Sequence, residues 1–180
     1  MQRIKRIDRE LKYSGTMIDM YTDTISVPNG NVVQWDFIKH PGAAAVVPIL
    51  DDGKIVMVRQ YRNALDRETL EIPAGGLDSL DEPTLDAAAR ELEEETGYKS
   101  NNLELLITIA TTVAFCNEKI DIYLARNLIQ SKQNLDEDEY VEVEVYTLDE
   151  LTDMIYAGKI NDSKTISAIM SYKNKFVNIK

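Results

Sequence analysis

One cysteine, one histidine and one tryptophan serve all 180 residues. With Cys116 alone no internal disulfide forms, which excludes a disulfide-stapled secreted scaffold and suits a reducing, cytoplasmic setting. The 5 prolines and 8 glycines are dispersed, so no linker or collagen-like tract is built from them. Internal repeats and low-complexity segments are also missing. Apolar runs are short. The longest, Ala43–Leu50, already contains Pro48 and falls far below the roughly 18 residues of a membrane helix. The opening MQRIKRIDRE lacks an apolar core and does not read as a secretory signal. Positive charge is scarce: 20 basic residues against 31 acidic ones give a net charge of −11. The densest basic group, Arg3, Lys5, Arg6 and Arg9, is too small to form a stripe. Neither nucleic acid nor a membrane is therefore an expected partner.

What is present is ordinary for a globular chain, with 44% apolar and 28% charged residues. The length suits one domain, or one domain with an arm. Thr16–Val27 and Val32–Ile38 flank Pro28-Asn29-Gly30-Asn31 and predict a hairpin. Ala43–Leu50 and Lys54–Arg62 flank Asp51-Asp52-Gly53 and predict a second. Thr69–Ile72 is a short strand that runs into the loop Pro73-Ala74-Gly75-Gly76. Pro83 in the first turn, Ala87-Ala88-Ala89 and a stop at Gly97 predict a helix over 83–96. Further strands are expected over 103–113, 120–125 and 141–146. Thr147–Glu150 reads as a capping box for a helix to Tyr156, and Asp162 or Ser163 caps a last helix to about Phe176. Strands with one central and two late helices make an α/β (α+β) layered fold.

Acidic residues crowd into Asp78–Glu95. At about 100° per residue, Glu91, Glu94 and Glu95 share one helix face. Leu85, Ala88 and Leu92 lie on a neighbouring face that would pack on a sheet, while Asp86 and Glu93 point to solvent. Carboxylates on adjacent turns repel by roughly a few tenths of a kcal/mol per exposed pair, and by more where water is scarce. A hard divalent cation removes that cost, and Mg²⁺ or Mn²⁺ leaves room for water and phosphate in its shell. The Pro73–Gly76 loop lets the backbone come close, so a carbonyl there would complete such a shell. Arg90 is placed to orient Glu82 or another carboxylate. On the acids alone, a solvated anionic helix face is the competing reading.

The spacing goes further. Gly76, five residues, Glu82, seven residues and then Arg90-Glu91-Leu92-Glu93-Glu94-Glu95-Thr96-Gly97-Tyr98 resembles a complete Nudix box. Ile38-Lys39-His40-Pro41-Gly42-Ala43, Arg59-Gln60-Tyr61-Arg62, Leu70-Glu71-Ile72-Pro73-Ala74-Gly75 and Leu135-Asp136-Glu137-Asp138-Glu139 resemble the ADP-ribose pyrophosphatase branch of that superfamily. The resemblance implies a mixed β-sheet sandwiched between helices, with the box as loop–helix–loop. It also implies an N-terminal antiparallel β arm over 1–40, used for dimerisation, ahead of a hydrolase domain over 41–180. The implied activity is Mg²⁺- or Mn²⁺-dependent cleavage of ADP-ribose or a related ADP-sugar to AMP and a sugar phosphate, by a homodimer. A nucleotide-sugar hydrolase of another kind, such as one for GDP-mannose, and a Nudix-fold nucleotide sensor without turnover are the alternatives.

The resemblance also suggests roles. Glu91, Glu94 and Glu95 are metal ligands, joined by Glu139 and by a carbonyl of Ala74 or Gly75. Glu137 is the first choice for the general base, with Glu118 second, and Arg90 supports the catalytic carboxylates. Arg62 either meets a substrate phosphate or pairs with Glu71 or Asp66. Glu71 touches the terminal ribose or braces the loop. Trp35 stacks on adenine or fills a subunit interface. His40, before Pro41, reads as a turn residue, and Cys116 as a packed small side chain. Two departures stand out. The branch usually starts the box on the glycine of Pro-Ala-Gly itself, whereas here the box spacing falls on Gly76, one residue after Gly75. The stretch Thr112–Glu118 keeps Phe115 and Glu118 but lacks the Pro and Gly that the branch often carries there.

Overall fold

The computed structural model describes residues 3–79 and 81–177. The outermost residues of the expected arm and hydrolase domain, 1–2 and 178–180, and Leu80 lie outside the described residues. The chain divides into two units, one formed by the chain up to Gly42 with Ala110–Lys119, the other by Ala43–Ile109 and the chain from Ile120 onward.

In the first unit, β1 (Lys5–Ser14), β2 (Asp19–Ser26) and β3 (Val32–Lys39) form an antiparallel sheet in the order β1-β2-β3. The predicted turn closes the β2–β3 hairpin: the Val27 N–H donates to the Asn31 carbonyl at 3.0 Å, and Gly30 adopts φ 88°. That φ is open to glycine without steric cost. Asp23 is buried on β2, where a bidentate pair with Arg9 satisfies it (Nε–Oδ1 2.5 Å, Nη2–Oδ2 2.6 Å). The Arg9 guanidinium also lies 3.7 Å from the Phe37 ring centre. Segment 110–119 joins this unit through the Ile38 N–H, which donates to the Phe115 carbonyl at 2.7 Å.

The second unit starts with β4 (Ala43–Pro48) and β5 (Ile55–Arg62). The expected β4–β5 hairpin exists only at its root, where the Leu50 N–H donates to Lys54 (2.9 Å) and Ile49 bridges Ile55. Beyond it the strands part into different sheets. The reason is that a strand has two edges, and both edges of β4 are taken. After a 3₁₀ turn, Asn63–Leu65, come β6 (Arg67–Glu71), β7 (Ala74–Gly76), helix α1 (Thr84–Thr96), β8 (Tyr98–Lys99), β9 (Asn102–Ala110), β10 (Lys119–Arg126), β11 (Ile129–Gln130) and β12 (Val141–Tyr146). Helices α2 (Leu148–Tyr156) and α3 (Ser163–Tyr172) follow, the last running into a π turn, Lys173–Val177. One sheet has the order β7-β4-β10-β9, with β4 parallel to β10 and antiparallel to β7. The other is β12-β5-β6, antiparallel throughout. β8 and β11 pair separately.

All six residues of β4 are buried, as expected for a strand covered on both faces. Side chains alternate across it. Ala44 and Val46, with Tyr123 and Ala125 of β10, meet Ala87, Ala88 and Leu92 of α1. Ala43, Ala45 and Val47, with Ile122 and Leu124, meet Leu151 of α2 and Ala168 and Ile169 of α3. The mixed sheet is thus sandwiched between α1 and the α2–α3 pair. Leu85 does not join this packing and stays 44% exposed, whereas Ala87 is buried. Thr84 faces the sheet instead, its hydroxyl 2.8 Å from both Asp121 Oδ2 and Tyr123 Oη. Leu85 is consequently turned about 100° away. The capping box at Thr147 and Glu150 is formed, and Asp162 caps α3 by accepting from the Thr165 N–H at 2.9 Å.

Candidate active site

The stretch read as a loop, Ala74–Gly76, is the edge strand β7, aligned on Ala45, Ala44 and Ala43 of β4. The same strand supports α1 through its other neighbours. β4 therefore brings the Pro73–Gly76 backbone against the acidic face of the helix. The fit at Gly75 is close: a Cβ added there would lie 2.0 Å from Glu91 Oε1 and 2.6 Å from Oε2. Only glycine leaves space for that carboxylate.

Glu95 and Glu91 are buried, at 2% and 9% exposure, despite their charge. Burial pushes the Glu95 carboxyl up to about 8; the Ala74 N–H, donating at 2.8 Å to Oε2, opposes this, and the charges of Glu91 and Glu139 add to it. Burial also lifts Glu91, against the pull of Arg90 and with the repulsion of Glu94 and Glu139. Arg90 is the counterweight. Its Nη1 donates to Glu91 Oε1 (2.6 Å) and Glu94 Oε2 (3.1 Å), its Nε to Glu82 Oε1 (3.3 Å) and its Nη2 to the Gly76 carbonyl (3.1 Å). Partial burial works against its charge, but these carboxylates outweigh that and hold its pKa up. Glu82 is fixed in turn by the Asp78 N–H at 2.6 Å.

The acidic loop between β11 and β12 closes the site. Gly75, Glu91, Glu94, Asn134, Asp136 and Glu139 line a cavity of about 300 Å³. A turn in which the Glu139 N–H donates to Asp136 O at 3.0 Å presents this loop to the cavity. Glu137 is exposed and stands outside the cavity lining. Glu118 belongs to the other unit, where it accepts from the Thr111 hydroxyl at 2.6 Å and lies 3.5 Å from His40 Nδ1. Trp35 is 49% exposed in that same unit and lines a cavity of about 620 Å³ with Met20, Ile38 and Phe115.

Arg62 pairs with Glu71 rather than with Asp66. The contact is bidentate, Nε–Oε1 2.8 Å and Nη2–Oε2 2.6 Å. Glu71 is buried and also accepts from Thr69 Oγ1 (2.6 Å) and from Lys164 Nζ. Burial alone would raise this carboxyl, but Arg62, Lys164 and Thr69 together bring it down to about 2. The nearby charge of Glu95 also acts on Arg62, which places the guanidinium on the acidic side of the unit. Lys164 carries no local signal in the sequence. It is a buried cation in the first turn of α3, where the helix dipole disfavours it, and the fold adds Glu71 to the neighbouring Asp162 (3.0 Å) as the acids that hold it.

Among the described residues, no three or more His, Cys, Asp or Glu side chains are already gathered around one metal position. Arg90 draws Glu91 and Glu94 together instead. The donor chemistry nonetheless suits a hard cation: the cavity wall offers carboxylate and carbonyl oxygens and no sulfur or imidazole.

A glycine-edged strand, a helix with two buried acids and an acidic loop meet around one polar cavity rich in carboxylate and carbonyl oxygens. The NUDIX domain family matches the chain over residues 39–168, and the chain belongs to that family. The family as a class depends on Mg²⁺ or Mn²⁺. The chain is 41% identical over 167 residues to an ADP-ribose pyrophosphatase of Bacillus subtilis, covering 92% of this chain and 90% of that protein. It is 43% identical over 168 residues to a methanol dehydrogenase activator of Bacillus methanolicus, with the same coverage. The fold is shared with the crystal structure of an ADP compounds hydrolase, at a TM-score of 0.85 and 22% identity, over 97% of this chain and 94% of that one. No helix among the described residues is long and apolar enough to cross a membrane.

Proposed function

We propose that the chain hydrolyses the pyrophosphate bond of ADP-ribose, or of a closely related ADP-sugar, to AMP and a sugar phosphate. The observation that carries this reading is the burial of Glu91 against Gly75 and of Glu95 on the Ala74 N–H, with Glu91, Glu94 and Glu139 lining a cavity rich in carboxylate and carbonyl oxygens. The similarity to an ADP-ribose pyrophosphatase over nine-tenths of both chains supports the substrate class.

Glu91, Glu94 and Glu95, with Glu139 and a carbonyl of Ala74 or Gly75, would hold Mg²⁺ or Mn²⁺. When bound, such an ion neutralises diphosphate charge and makes water more acidic. The chain does the rest. Arg90 fixes Glu91 and Glu94 in orientation until they are needed as ligands. Ala74 holds Glu95 by its N–H. Arg62 spends Nε and Nη2 on Glu71, which leaves Nη1 for a substrate phosphate. Glu71 then braces that arginine. A carboxylate of the acidic loop, Glu137, takes the proton of the attacking water, with Glu118 and Glu139 as the alternatives. Water's oxygen bonds to phosphorus, the bond from phosphorus to the bridging oxygen breaks, and the second phosphate leaves. In the proposed homodimer, Trp35 would offer its ring to the adenine bound by the neighbouring subunit.

The arm, with Ile7, Leu11 and Tyr13 exposed on β1, supports a homodimer. Light scattering at micromolar concentration should give twice the 20.4 kDa chain mass. The lone cysteine fits a reducing, cytoplasmic setting.

The test is a panel of ADP-ribose, ADP-glucose, GDP-mannose, NADH and diadenosine polyphosphates with Mg²⁺, products separated by chromatography. ADP-ribose should be cleaved fastest. Equal rates across the panel, or none, would defeat the assignment. A second reading is a Nudix-fold nucleotide sensor without turnover. Absence of product from every panel member would favour it.

A further inference from the structure

The cavity places a negatively charged loop beside a negatively charged helix, and something must hold them together. Glu139 and Asp136 share the lining of the cavity of about 300 Å³ with Asp78, Glu91 and Glu94, five carboxylates against the single guanidinium of Arg90, so a net negative charge remains among the lining residues. Short hydrogen bonds between 131–134 and the end of α1 supply the restraint. The Ser131 N–H donates to Gly97 O (2.7 Å), the Asn134 N–H to Glu94 O (3.0 Å) and Ser131 Oγ to Glu93 Oε1 (2.8 Å). Gly97, at φ 70°, lets the segment pass: a Cβ there would come within 3.0 Å of the Gln133 backbone nitrogen.

Among the described residues, Gln133 makes a contact that no other side chain duplicates. Its amide nitrogen has two protons and spends both on backbone carbonyls, one on Glu95 at 2.7 Å and one on Val141 at 3.2 Å. The Glu95 carbonyl is one of those that the end of a helix leaves without an intrahelical partner. Val141 is the first residue of β12. One side chain therefore ties the last turn of the metal-site helix to both ends of loop 134–140.

We infer that Gln133 is a positioning residue that pins the acidic loop against the repulsion of α1 and so sets the loop's carboxylates where a divalent cation can use them. It touches neither substrate nor cation and acts only through the loop. This rests on the reading of the cavity as a metal site. Loss of the amide donors lets Asp136 and Glu139 recoil from Glu91 and Glu94, and the cation loses ligands.

The experiment is a titration of the full-length protein with Mn²⁺ alone, free Mn²⁺ being read by electron paramagnetic resonance, on the parent and on Gln133→Met. Met keeps the length and removes both donors. Mn²⁺ affinity should fall at least tenfold in Gln133→Met, with the far-ultraviolet circular dichroism unchanged. Gln133→Asn, which reaches only one carbonyl, should fall between the two and serves if the Met variant does not fold. A merely structural role would not couple to charge. Glu139→Gln should therefore return part of the melting temperature that Gln133→Met loses, because less repulsion remains to be held. Equal Mn²⁺ affinity in parent and variants, or strictly additive melting shifts, would overturn the inference. Failure of the parent itself to bind Mn²⁺ would instead remove the metal-site reading beneath it.

Discussion

Replacing Glu95 by Gln should stabilise the metal-free protein while abolishing turnover. The carboxyl is 2% exposed and sits at about 8, against an ordinary value of 4.5. Between those values the folded chain keeps a proton that the unfolded chain releases. Folding stability from this group is therefore complete below pH 4.5 and lost as pH rises towards 8. Each pH unit in that window is worth about 1.4 kcal/mol, so by pH 7 the parent has lost about 3 kcal/mol relative to acid. Glutamine has no proton to release and still accepts from the Ala74 N–H. The assay is urea unfolding with chelator present, parent and Glu95→Gln side by side from pH 5 to 8. The variant's advantage should grow with pH to about 3 kcal/mol at pH 7, and saturating Mg²⁺ should stabilise the parent but not the variant. A stability difference that stays constant from pH 5 to 8 would refute the reasoning, because the charge of Glu95 would then cost nothing.

The same packing makes further outcomes testable. Gly75→Ala puts a methyl where Glu91 Oε1 now lies, so turnover should fall at least about 100-fold with a melting curve near the parent's; retained turnover would show that the close approach has no role. Glu71→Gln should cost about 3 kcal/mol at pH 7, from a carboxyl held near 2 instead of 4.5. Because that pKa is depressed, the contribution is present above pH 4.5 and fades as pH falls towards 2, so parent and variant should converge in acid unfolding curves. Leu92→Ala empties a fully buried position between Val46 and Ala125 and should cost about 2–5 kcal/mol in chemical unfolding.

The parts of the fold that could be read from the chain are those set by neighbours in sequence. The α1 helix starts and stops next to Pro83 and Gly97, the capping box at Thr147 forms within four residues, and the hairpin at Pro28–Asn31 is closed by its own turn. The Gly76–Tyr98 spacing likewise identified the acidic helix before any contact was visible. Partners far apart in sequence were not legible. The parting of β4 from β5 depends on β10, some 70 residues on, taking the edge of β4. Leu85 has the right period for the buried face but yields to Thr84, because Asp121 and Tyr123 wait on β10. Lys164 and Gln133 look like ordinary polar residues until the fold brings Glu71 to one and the end of α1 to the other. Arg62 left two partners open in the sequence, and the side chain chooses Glu71, which is buried with a second cation at hand.

The most direct test of the central claim is an incubation of the protein with ADP-ribose, first with chelator and then with Mg²⁺ restored, while AMP and ribose 5-phosphate are counted. No products are expected under chelation, and equal amounts of both once the ion is returned. Products that form equally well without a divalent ion, or no products with it, would contradict the claim that these buried carboxylates exist to bind a cation against a pyrophosphate.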